Sequence, residues 1–338
     1  MPSGSSAPDH SISPLTAATT PGVTVVIPNW NGMQWLDGVL GSIAKQDMAP
    51  LETIVVDNGS TDGSVEHLKT QWPAVEVIHW DSNRGFAAAA NAGFHHASGD
   101  LVALINTDIV LEPDWLRRAS VALRSRTDAA SVATKMLDMG DRTLIYDTGD
   151  FLRRDGACEQ RGRFHMDTGS YDTPGEVWSA CAGAAIYRRQ PVLELGGFDE
   201  RFFTYLEDVE LGLRLRLAGW TCIYEPCVAL HAGGGSEAAL SGGAAKWVER
   251  NTILIVARHF PLSWLGPVVY RQTAWKLAAI RSGTLTSYAK GFFTGCRLIG
   301  SMLRSRQLAG PTKLTVQEAI PWRPWHGPKA GGHRDSTH

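Results

Sequence analysis

A run of β-branched apolar residues that ends at a polar turn occurs twice near the start of the chain. Residues 23–27 form such a run before Pro28, and residues 53–56 form another before Asp57. Continuous apolar runs of this length are typical of strands buried in a parallel sheet. Residues 33–46 between them carry apolar side chains at helical spacing, which predicts a strand, helix, strand unit.

The same pattern continues along the chain. It predicts a helix over 64–71, a strand over 75–78, a helix over 85–97 and a strand over 101–105. Alternating strands and helices indicate an α/β fold, a Rossmann-like αβα sandwich whose ligands bind beyond the carboxyl ends of the strands.

The next part of the chain is harder to interpret. Residues 129–177 hold short β-like pieces between turn residues, so we expect mixed, partly antiparallel strands there. In 206–217 the leucines alternate as in a strand, yet apolar residues also recur at helical spacing. Acidic residues at the start of this segment and Ala-Gly at its end favour a helix.

Composition sets the expected domain boundaries. Residues 1–21 and 309–338 lack apolar periodicity and are expected to be disordered. We expect a catalytic domain over 22–240, with a nucleotide-binding half (22–110) and an acceptor half (111–240), followed by a basic amphipathic helical segment over 241–308.

The helical segment differs in charge from the rest of the chain. Residues 241–307 hold ten Lys and Arg but one acidic residue, although the whole chain has a net charge of −2. Aromatic and cationic residues interleaved in this way suit an interfacial helix on an anionic membrane. A soluble helical extension with a solvated basic face is the alternative, and no nucleic-acid-binding motif accompanies the charge, so nucleic acid is not an expected partner.

Cysteine usage indicates a reducing compartment. The five cysteines are odd in number and scattered, which fits free thiols better than a disulfide framework. The N-terminus shows no basic segment followed by an apolar run. We therefore expect a cytoplasmic protein, peripheral at the inner face of the plasma membrane.

Two acidic residues follow predicted strands at the edge where a ligand is expected. Asp57 and Asp108 both occupy such positions, although each could instead cap a local turn. The sequence has neither a Gly-x-Gly-x-x-Gly dinucleotide loop nor a P-loop. A dinucleotide enzyme and a P-loop enzyme are thus disfavoured.

Ordered motifs resemble those of family 2 glycosyltransferases of the GT-A type. They cover about residues 22–260, and the subgroup they resemble is that of bacterial rhamnosyltransferases. In sequence order the matching segments are Val25–Gly32, Val55–Ser64, Asn83–Phe86, Leu104–Asp108, Gly196–Phe203, Tyr205–Leu211 and His231–Ser236. The implied fold is a GT-A sandwich with a mixed sheet and a C-terminal helical extension.

The resemblance implies a nucleotide-sugar site and a divalent metal. Asp108 would bind Mg²⁺ or Mn²⁺, and His231 would complete the metal shell or contact the diphosphate. Asn106 departs from the acid-x-acid form of the motif and leaves it one charge weaker. The implied donor-binding residues are Pro28, Asn29, Asn31, Asp57, Arg84, Gly85, Asn91, Asn106 and Thr107.

The resemblance assigns catalysis to the Glu207-Asp208 pair. Inverting transfer needs a base to take the proton of the acceptor hydroxyl, and this task falls to Asp208, with Glu207 beside it. Adjacent helical residues point about 100° apart, so only one of the two easily faces the sugar. The alternative is that both acids merely complement a helix N-terminus.

The expected activity is therefore sugar transfer from a nucleoside diphosphate in cell-envelope polysaccharide synthesis. By resemblance the donor is dTDP-rhamnose, with UDP- and GDP-sugars open, and the acceptor is lipid-linked or a glycan. Two other interpretations remain: a nucleotidyltransferase on a similar fold, and a catalytically degenerate membrane-associated scaffold, which Asn106 suggests.

Overall fold

A computed structural model describes residues 20–233, 243–307 and 312–321 of the chain. Most of the two segments expected to be disordered lies outside these residues, as do Gly234, Gly235 and Ser236 of the histidine-containing motif.

Twelve strands are present in the described residues. They are β1 (Thr20–Asn29), β2 (Glu52–Asp57), β3 (Glu76–His79), β4 (Gly99–Ile105), β5 (Ile109–Leu111), β6 (Ala129–Asp138), β7 (Ile145–Asp147), β8 (Asp150–Leu152), β9 (Cys158–Gln160), β10 (Gly175–Val177), β11 (Ala184–Arg188) and β12 (Thr221–His231).

Ten α-helices accompany them in the same described ranges. They are α1 (Met33–Ala44), α2 (Ser64–Gln71), α3 (Phe86–His96), α4 (Trp115–Ser125), α5 (Arg189–Glu194), α6 (Glu207–Leu217), α7 (Gly243–His259), α8 (Leu265–Arg281), α9 (Leu285–Gln307) and α10 (Val316–Ala319).

The main sheet is mixed, in the order β10-β12-β6-β11-β4-β1-β2-β3. The strands β4, β1, β2 and β3 are parallel, as the sequence predicts, and β11 joins β4 in the antiparallel direction. In this register Asn29 lies opposite Asp57 at the carboxyl ends of β1 and β2. The expected α/β sandwich with a mixed sheet is confirmed.

Helices cover both faces of the sheet and bury separate apolar clusters. On one face α1 and α4 pack Leu36, Val39 and Trp115 against the strands. On the other, α3 and α6 contribute Phe94 and Leu211. The strands between them are apolar on both sides, which is why their sequences read as continuous runs.

Helix α6 is buried on two faces at once. Leu211 and Leu215 belong to the cluster against the sheet, whereas Val209, Leu213 and Leu217 belong to a third cluster shared with the C-terminal helices. This explains the conflicting periodicities of 206–217. A helix packed between two layers needs apolar residues on both sides, so its leucines also alternate.

The C-terminal helices pack closely on one another and on the catalytic part of the chain. A Cβ added at Gly291 of α9 would lie 2.3 Å from the carbonyl oxygen of Lys246 in α7, so glycine permits this approach. Among the described residues, no helix is both long and apolar enough to serve as a membrane span.

Residues 312–321 are ordered and packed, unlike the disordered tail expected from Ala309 onward. Ile320 is fully buried, and the indole of Trp178 donates to the carbonyl of Ala319 at 2.8 Å. The amide of Lys313 donates to the carbonyl of Leu217 at the end of α6. Long-range docking of this kind leaves no local periodicity in the sequence.

Candidate active site

A cavity of about 410 Å³ opens at the carboxyl edge of the parallel strands. It lies between the ends of β1 and β4, the N-terminus of α6 and the C-terminal helices. Eight of the sequence-predicted residues line it: Pro28, Asn29, Asn106, Thr107, Asp108, Glu207, Asp208 and His231. Among residues that the sequence did not single out, Asn58, Asn83, Asp150, Arg163, Cys181 and Trp275 also line it.

One side of the cavity, which we call the amide side, consists of Asn29, Asn58 and Asn83 at the ends of β1, β2 and β3. Asn58 Nδ2 donates to Asn83 Oδ1 at 3.0 Å, and Asn58 Oδ1 accepts from the Arg84 amide at 2.7 Å. These bonds fix the loops after the strands. Asn29 Oδ1 is buried against Gly32 without a hydrogen-bond partner in the described structure.

Asp57 lies outside the lining and is fully buried. Its carboxylate accepts from Asn29 Nδ2 at 2.7 Å and from the Ser60 amide at 3.0 Å, and His79 Nδ1 is 3.0 Å away. With both oxygens bonded, the structure places Asp57 behind Asn29, where it orients the Asn29 amide and the loop.

Four further predicted donor residues also lie outside the lining. Asn31 Oδ1 accepts from the Thr61 amide, and the exposed Arg84 guanidinium stacks 4.7 Å from the Trp80 ring. Gly85 lies against Phe203: a Cβ there would be 2.6 Å from the Phe203 carbonyl oxygen.

Asn91 faces a different, smaller cavity. Its Nδ2 donates to the Phe198 carbonyl at 2.9 Å and its Oδ1 accepts from the Phe198 amide at 2.8 Å. These bonds join α3 to the segment before α6.

The metal-motif residues meet where β4 and β12 end. Asp108 Oδ1 lies 3.6 Å from His231 Nε2, and both side chains are largely buried. The Gly233 amide donates to His231 Nδ1 at 3.1 Å, which places the proton of a neutral ring on Nε2. Tyr146 packs against this imidazole with the ring centroids 4.0 Å apart and the rings tilted by 37°, and the Arg163 guanidinium lies 4.4 Å from the Tyr146 ring.

The chain enters α6 through a strained turn. Phe203, Tyr205 and Leu206 have φ of 65°, 67° and 64°, a left-handed conformation that is uncommon without glycine. All three line the cavity. Such strain concentrates at functional sites, where the surrounding packing holds it in place.

The Glu207-Asp208 pair begins α6 inside this turn. Asp208 accepts from the Ala182 amide at 2.9 Å and the Val209 amide at 2.8 Å, yet burial raises its pKa above the usual value. Glu207 Oε2 is buried without a hydrogen-bond partner in the described structure. Burial and the neighbouring Asp208 raise the pKa of Glu207 well above its ordinary range.

Sequence reasoning missed a group that we call the acidic cluster: Asp147, Asp150 and Cys181. Their ligand atoms all lie within 4.8 Å of one another. Burial raises the pKa of Asp147 to about 7, and burial together with Asp147 raises that of Asp150 well above normal. Asp150, Glu207 and Asp208 form the acid side of the cavity.

One sequence signal could have indicated the cluster. Aspartate is depleted in strands, yet Asp147 and Asp150 flank a Thr-Gly turn between two short β-like pieces. Two such acids at a tight turn are candidates for function.

The C-terminal helices complete the cavity. Ala244 and Val248 of α7 and Trp275 of α8 line it, and Phe203 stacks on Trp247 of α7 at 4.8 Å. The helical extension is therefore part of the site.

Comparison with known proteins agrees with this geometry. The profile of glycosyl transferase family 2 matches residues 24–196, more than half of the chain. The chain belongs to this family.

Curated relatives are similar at 29% identity. The match to the O-antigen biosynthesis protein RfbC of Myxococcus xanthus covers 73% of this chain but only 20% of that protein. The match to the N-acetylglucosaminyl-diphospho-decaprenol L-rhamnosyltransferase of Mycobacterium tuberculosis covers 56% of this chain and 69% of the relative.

Solved structures share the fold at low sequence identity. The mannosyltransferase PcManGT of Pyrobaculum calidifontis, in complex with GDP-Man and Mn²⁺, matches 86% of this chain and 81% of its own with a TM-score of 0.51 at 19% identity. GalNAc-T7 with UDP, GalNAc and Mn²⁺ matches 84% of this chain and 57% of its own with a TM-score of 0.58 at 14% identity. These likenesses support the GT-A fold.

Proposed function

We propose that this family 2 glycosyltransferase is metal-dependent and inverting, and that it transfers L-rhamnose from dTDP-rhamnose to a lipid-linked or polysaccharide acceptor. The observation that carries the mechanism is the placement of Asp108 and His231 in the same cavity as the half-buried Asp208. The choice of sugar rests on the rhamnosyltransferase relative and on the likeness to that subgroup.

The donor set fits a hard divalent cation. Asp108 offers a carboxylate in a buried polar site, and oxygen ligands suit Mg²⁺ or Mn²⁺. When bound, the metal neutralises charge on the departing diphosphate. Asn106 lies beside Asp108 and would bind through water or contact the donor, because its neutral amide is a poorer direct ligand.

His231 acts on the same diphosphate through a hydrogen bond. The Gly233 amide occupies Nδ1, so Nε2 carries the proton and suits donation to a phosphate oxygen better than direct coordination. The packing of Arg163 on Tyr146, which lies against the imidazole, adds a cation near the site where negative charge develops.

Asp208 takes the proton of the acceptor hydroxyl. The amides of Ala182 and Val209 orient its carboxylate, and its raised pKa makes it a stronger base than an ordinary aspartate. Glu207 has one buried, unpartnered carboxyl oxygen, and burial together with the neighbouring Asp208 raises its pKa well above the ordinary range.

The nucleotide binds on the amide side. Asn29, Asn58 and Asn83 offer neutral hydrogen-bonding groups suited to a base and ribose, and Pro28 lies beside them. Asp57 fixes the orientation of the Asn29 amide by accepting a hydrogen bond from Asn29 Nδ2.

Donor and metal can be tested together by thermal shift. Of dTDP-rhamnose, UDP- and GDP-sugars, we expect dTDP-rhamnose to raise the melting temperature most, and only with Mn²⁺ or Mg²⁺. Asp108→Asn should abolish the metal-dependent part of the shift, whereas Asp208→Asn should keep it. Equal shifts with and without metal would contradict the proposed metal role, and a larger shift with another donor would correct the sugar.

The acceptor proposal includes contact with an anionic membrane at the cytoplasmic face. Most of the large apolar side chains exposed in the described structure lie within 262–303, among them Val269, Tyr270 and Phe293. They share α8 and α9 with basic residues such as Lys276 and Arg297. Trp275 on α8 lines the cavity, so a lipid-linked acceptor at the membrane would reach the site along this helix.

Vesicle co-sedimentation tests the membrane contact. We expect binding to anionic vesicles that weakens with salt, and loss of binding in Tyr270→Ser and Phe293→Ser. Val121→Ser is the matched control, because Val121 is 59% exposed on α4, away from these helices. Equal recovery with neutral and anionic vesicles would remove the electrostatic part of the proposal.

A further inference from the structure

The acidic cluster has no role in the mechanism proposed above, yet the fold holds it in a defined position. Asp147 ends β7 and Asp150 begins β8, with Thr148 and Gly149 between them. Gly149 has a φ of 125°, and a Cβ there would be 3.1 Å from Val177 Cβ. The turn between the two acids therefore requires glycine and is packed against β10.

A short segment connects the cluster to the catalytic base. Asp150 and Ser179 exchange two backbone hydrogen bonds, of 3.0 and 3.2 Å. Further along the same segment, Cys181 supplies its thiol to the cluster and the Ala182 amide donates to Asp208 Oδ2. Asp150, Cys181 and Asp208 all line the cavity, so the cluster lies beside the base.

One oxygen of the cluster lacks a partner. Asp147 is 1% exposed, its Oδ1 accepts from the Gly149 amide at 2.6 Å, and its Oδ2 has no hydrogen-bond partner in the described structure. Leaving a buried acceptor unsatisfied costs about 1–3 kcal/mol. Asp147 lies behind the cavity lining, whereas Asp150, which is 5% exposed, reaches the cavity itself, so Asp150 is the member of the pair that a ligand would contact.

We propose that Asp150, with Asp147 packed behind it, forms the subsite for the acceptor sugar and binds a hydroxyl group adjacent to the one that reacts. This inference rests on the proposed role of Asp208 as base. The ligand is a pyranoside with vicinal hydroxyls: one hydroxyl lies at Asp208, and its neighbour reaches the acidic cluster.

The chemistry of the cluster suits hydroxyl groups. Burial and the nearby Asp150, Asp147 and Asp208 raise the pKa of Cys181 well above normal, so without a metal ion the protonated thiol is favoured and can donate a weak hydrogen bond. Carboxyl groups that share protons both donate and accept hydrogen bonds, as sugar hydroxyls do.

Saturation-transfer NMR with simple sugars tests the subsite. The probes are methyl α- and β-glycosides of glucose, N-acetylglucosamine, galactose, mannose and rhamnose at millimolar concentration, with dTDP and Mn²⁺ present. We expect at least one to bind the wild-type protein, and its analogue deoxygenated next to the reacting position to bind about tenfold more weakly.

Matched variants test whether the acidic cluster causes the weaker binding of the deoxy analogue. Asp147→Asn and Asp150→Asn should weaken binding of the full glycoside about tenfold and remove most of the difference between it and the deoxy analogue. Glu159→Gln, on β9 of the same hairpin and paired with Arg153, should change neither. The proposal would be overturned if no glycoside bound the wild-type protein. It would also be overturned if the two Asn variants still distinguished the full glycoside from its deoxy analogue as well as the wild type does.

Two further measurements separate the subsite from other roles. Both Asn variants should keep or raise the melting temperature, because they remove like charge from a buried group; a fall in melting temperature together with loss of binding would give the cluster a structural role. Thiolate absorbance on adding Cd²⁺ that disappears in Cys181→Ser would identify a cation site and overturn the proposal.

The proposed function is tested independently of the proposed acceptor subsite. The thermal shift by nucleotide sugar and metal, and its loss in Asp108→Asn, do not involve the acidic cluster.

Discussion

The amide side and the acid side of the cavity differ in how far their polar side chains are hydrogen-bonded and in how burial affects them. On the amide side neutral Asn58 and Asn83 bond to each other and to backbone, and the buried Asp57 has both oxygens bonded. On the acid side Glu207 keeps an unpartnered oxygen, and burial raises the pKa of Asp208. Each side holds one buried, unpartnered oxygen, Asn29 Oδ1 and Glu207 Oε2, but only the acid side adds carboxyl groups whose pKa is raised by burial, which is typical of groups that act on a substrate.

Asp208→Asn should give the largest effect and isolates the acid side. The amide keeps the shape of the carboxylate but cannot accept a proton, so we expect kcat to fall by about 10²–10⁴-fold. The measurement is sugar transfer to membrane fractions from nucleotide sugar. A variant with near wild-type kcat would show that the base lies elsewhere.

Gly85→Ala tests whether the two sides depend on each other. Gly85 has a φ of 94°, and a new Cβ would meet Phe203 on the turn that leads to Asp208. We expect a loss of about 1–3 kcal/mol of unfolding free energy, together with lower kcat, because the turn must move.

Gly63→Ala is the control for backbone strain. Gly63 has a φ of 91°, but a Cβ there would meet no atom within 4 Å. Denaturant unfolding of both variants compares them, and equal losses would mean that contact with Phe203 adds nothing.

A smaller effect, the pH dependence of folding stability, distinguishes the acid side from the amide side. The pKa of Asp147 is raised to about 7, so the folded protein binds more protons than the unfolded chain between about pH 4 and 7, and stability falls as pH rises through this window. Asp147→Asn should remove the share of that fall that comes from Asp147, while Asp150, Glu207 and Asp208 keep theirs, and should melt a few degrees above wild type at pH 8, with a smaller difference at pH 5. Parallel melting curves over pH 5–8 would contradict the raised pKa.

The sequence predicts the parallel strands well because the residue pattern that specifies each strand and its turn is local in the chain. Each run such as 53–56 is followed directly by the turn that contains Asp57, so strand, turn and edge are adjacent in the chain. The direction of the Asp57 side chain was not predictable in this way. It depends on Asn29 and His79, which come from other strands.

The acid side depends on long-range pairing. Strands β7 to β10 are three residues each and carry no readable period, so nothing local places Asp150 beside Ser179 and Asp208. Arg163 and Trp275 reach the cavity from a loop and a C-terminal helix for the same reason. The strained residues before α6 are likewise set by packing, since propensity alone disfavours them.

The two-sided burial of α6 has a practical consequence for protein engineering. A recombinant domain cut at residue 240 would keep Leu211 and Leu215 on the sheet but expose Val209, Leu213 and Leu217 to water, and would lose Trp275 from the cavity. A shortened version that extends through Ile320 keeps the docking of Lys313 and Ala319. Any exchange of C-terminal helices with a relative must therefore be designed as a change to the enzyme's core.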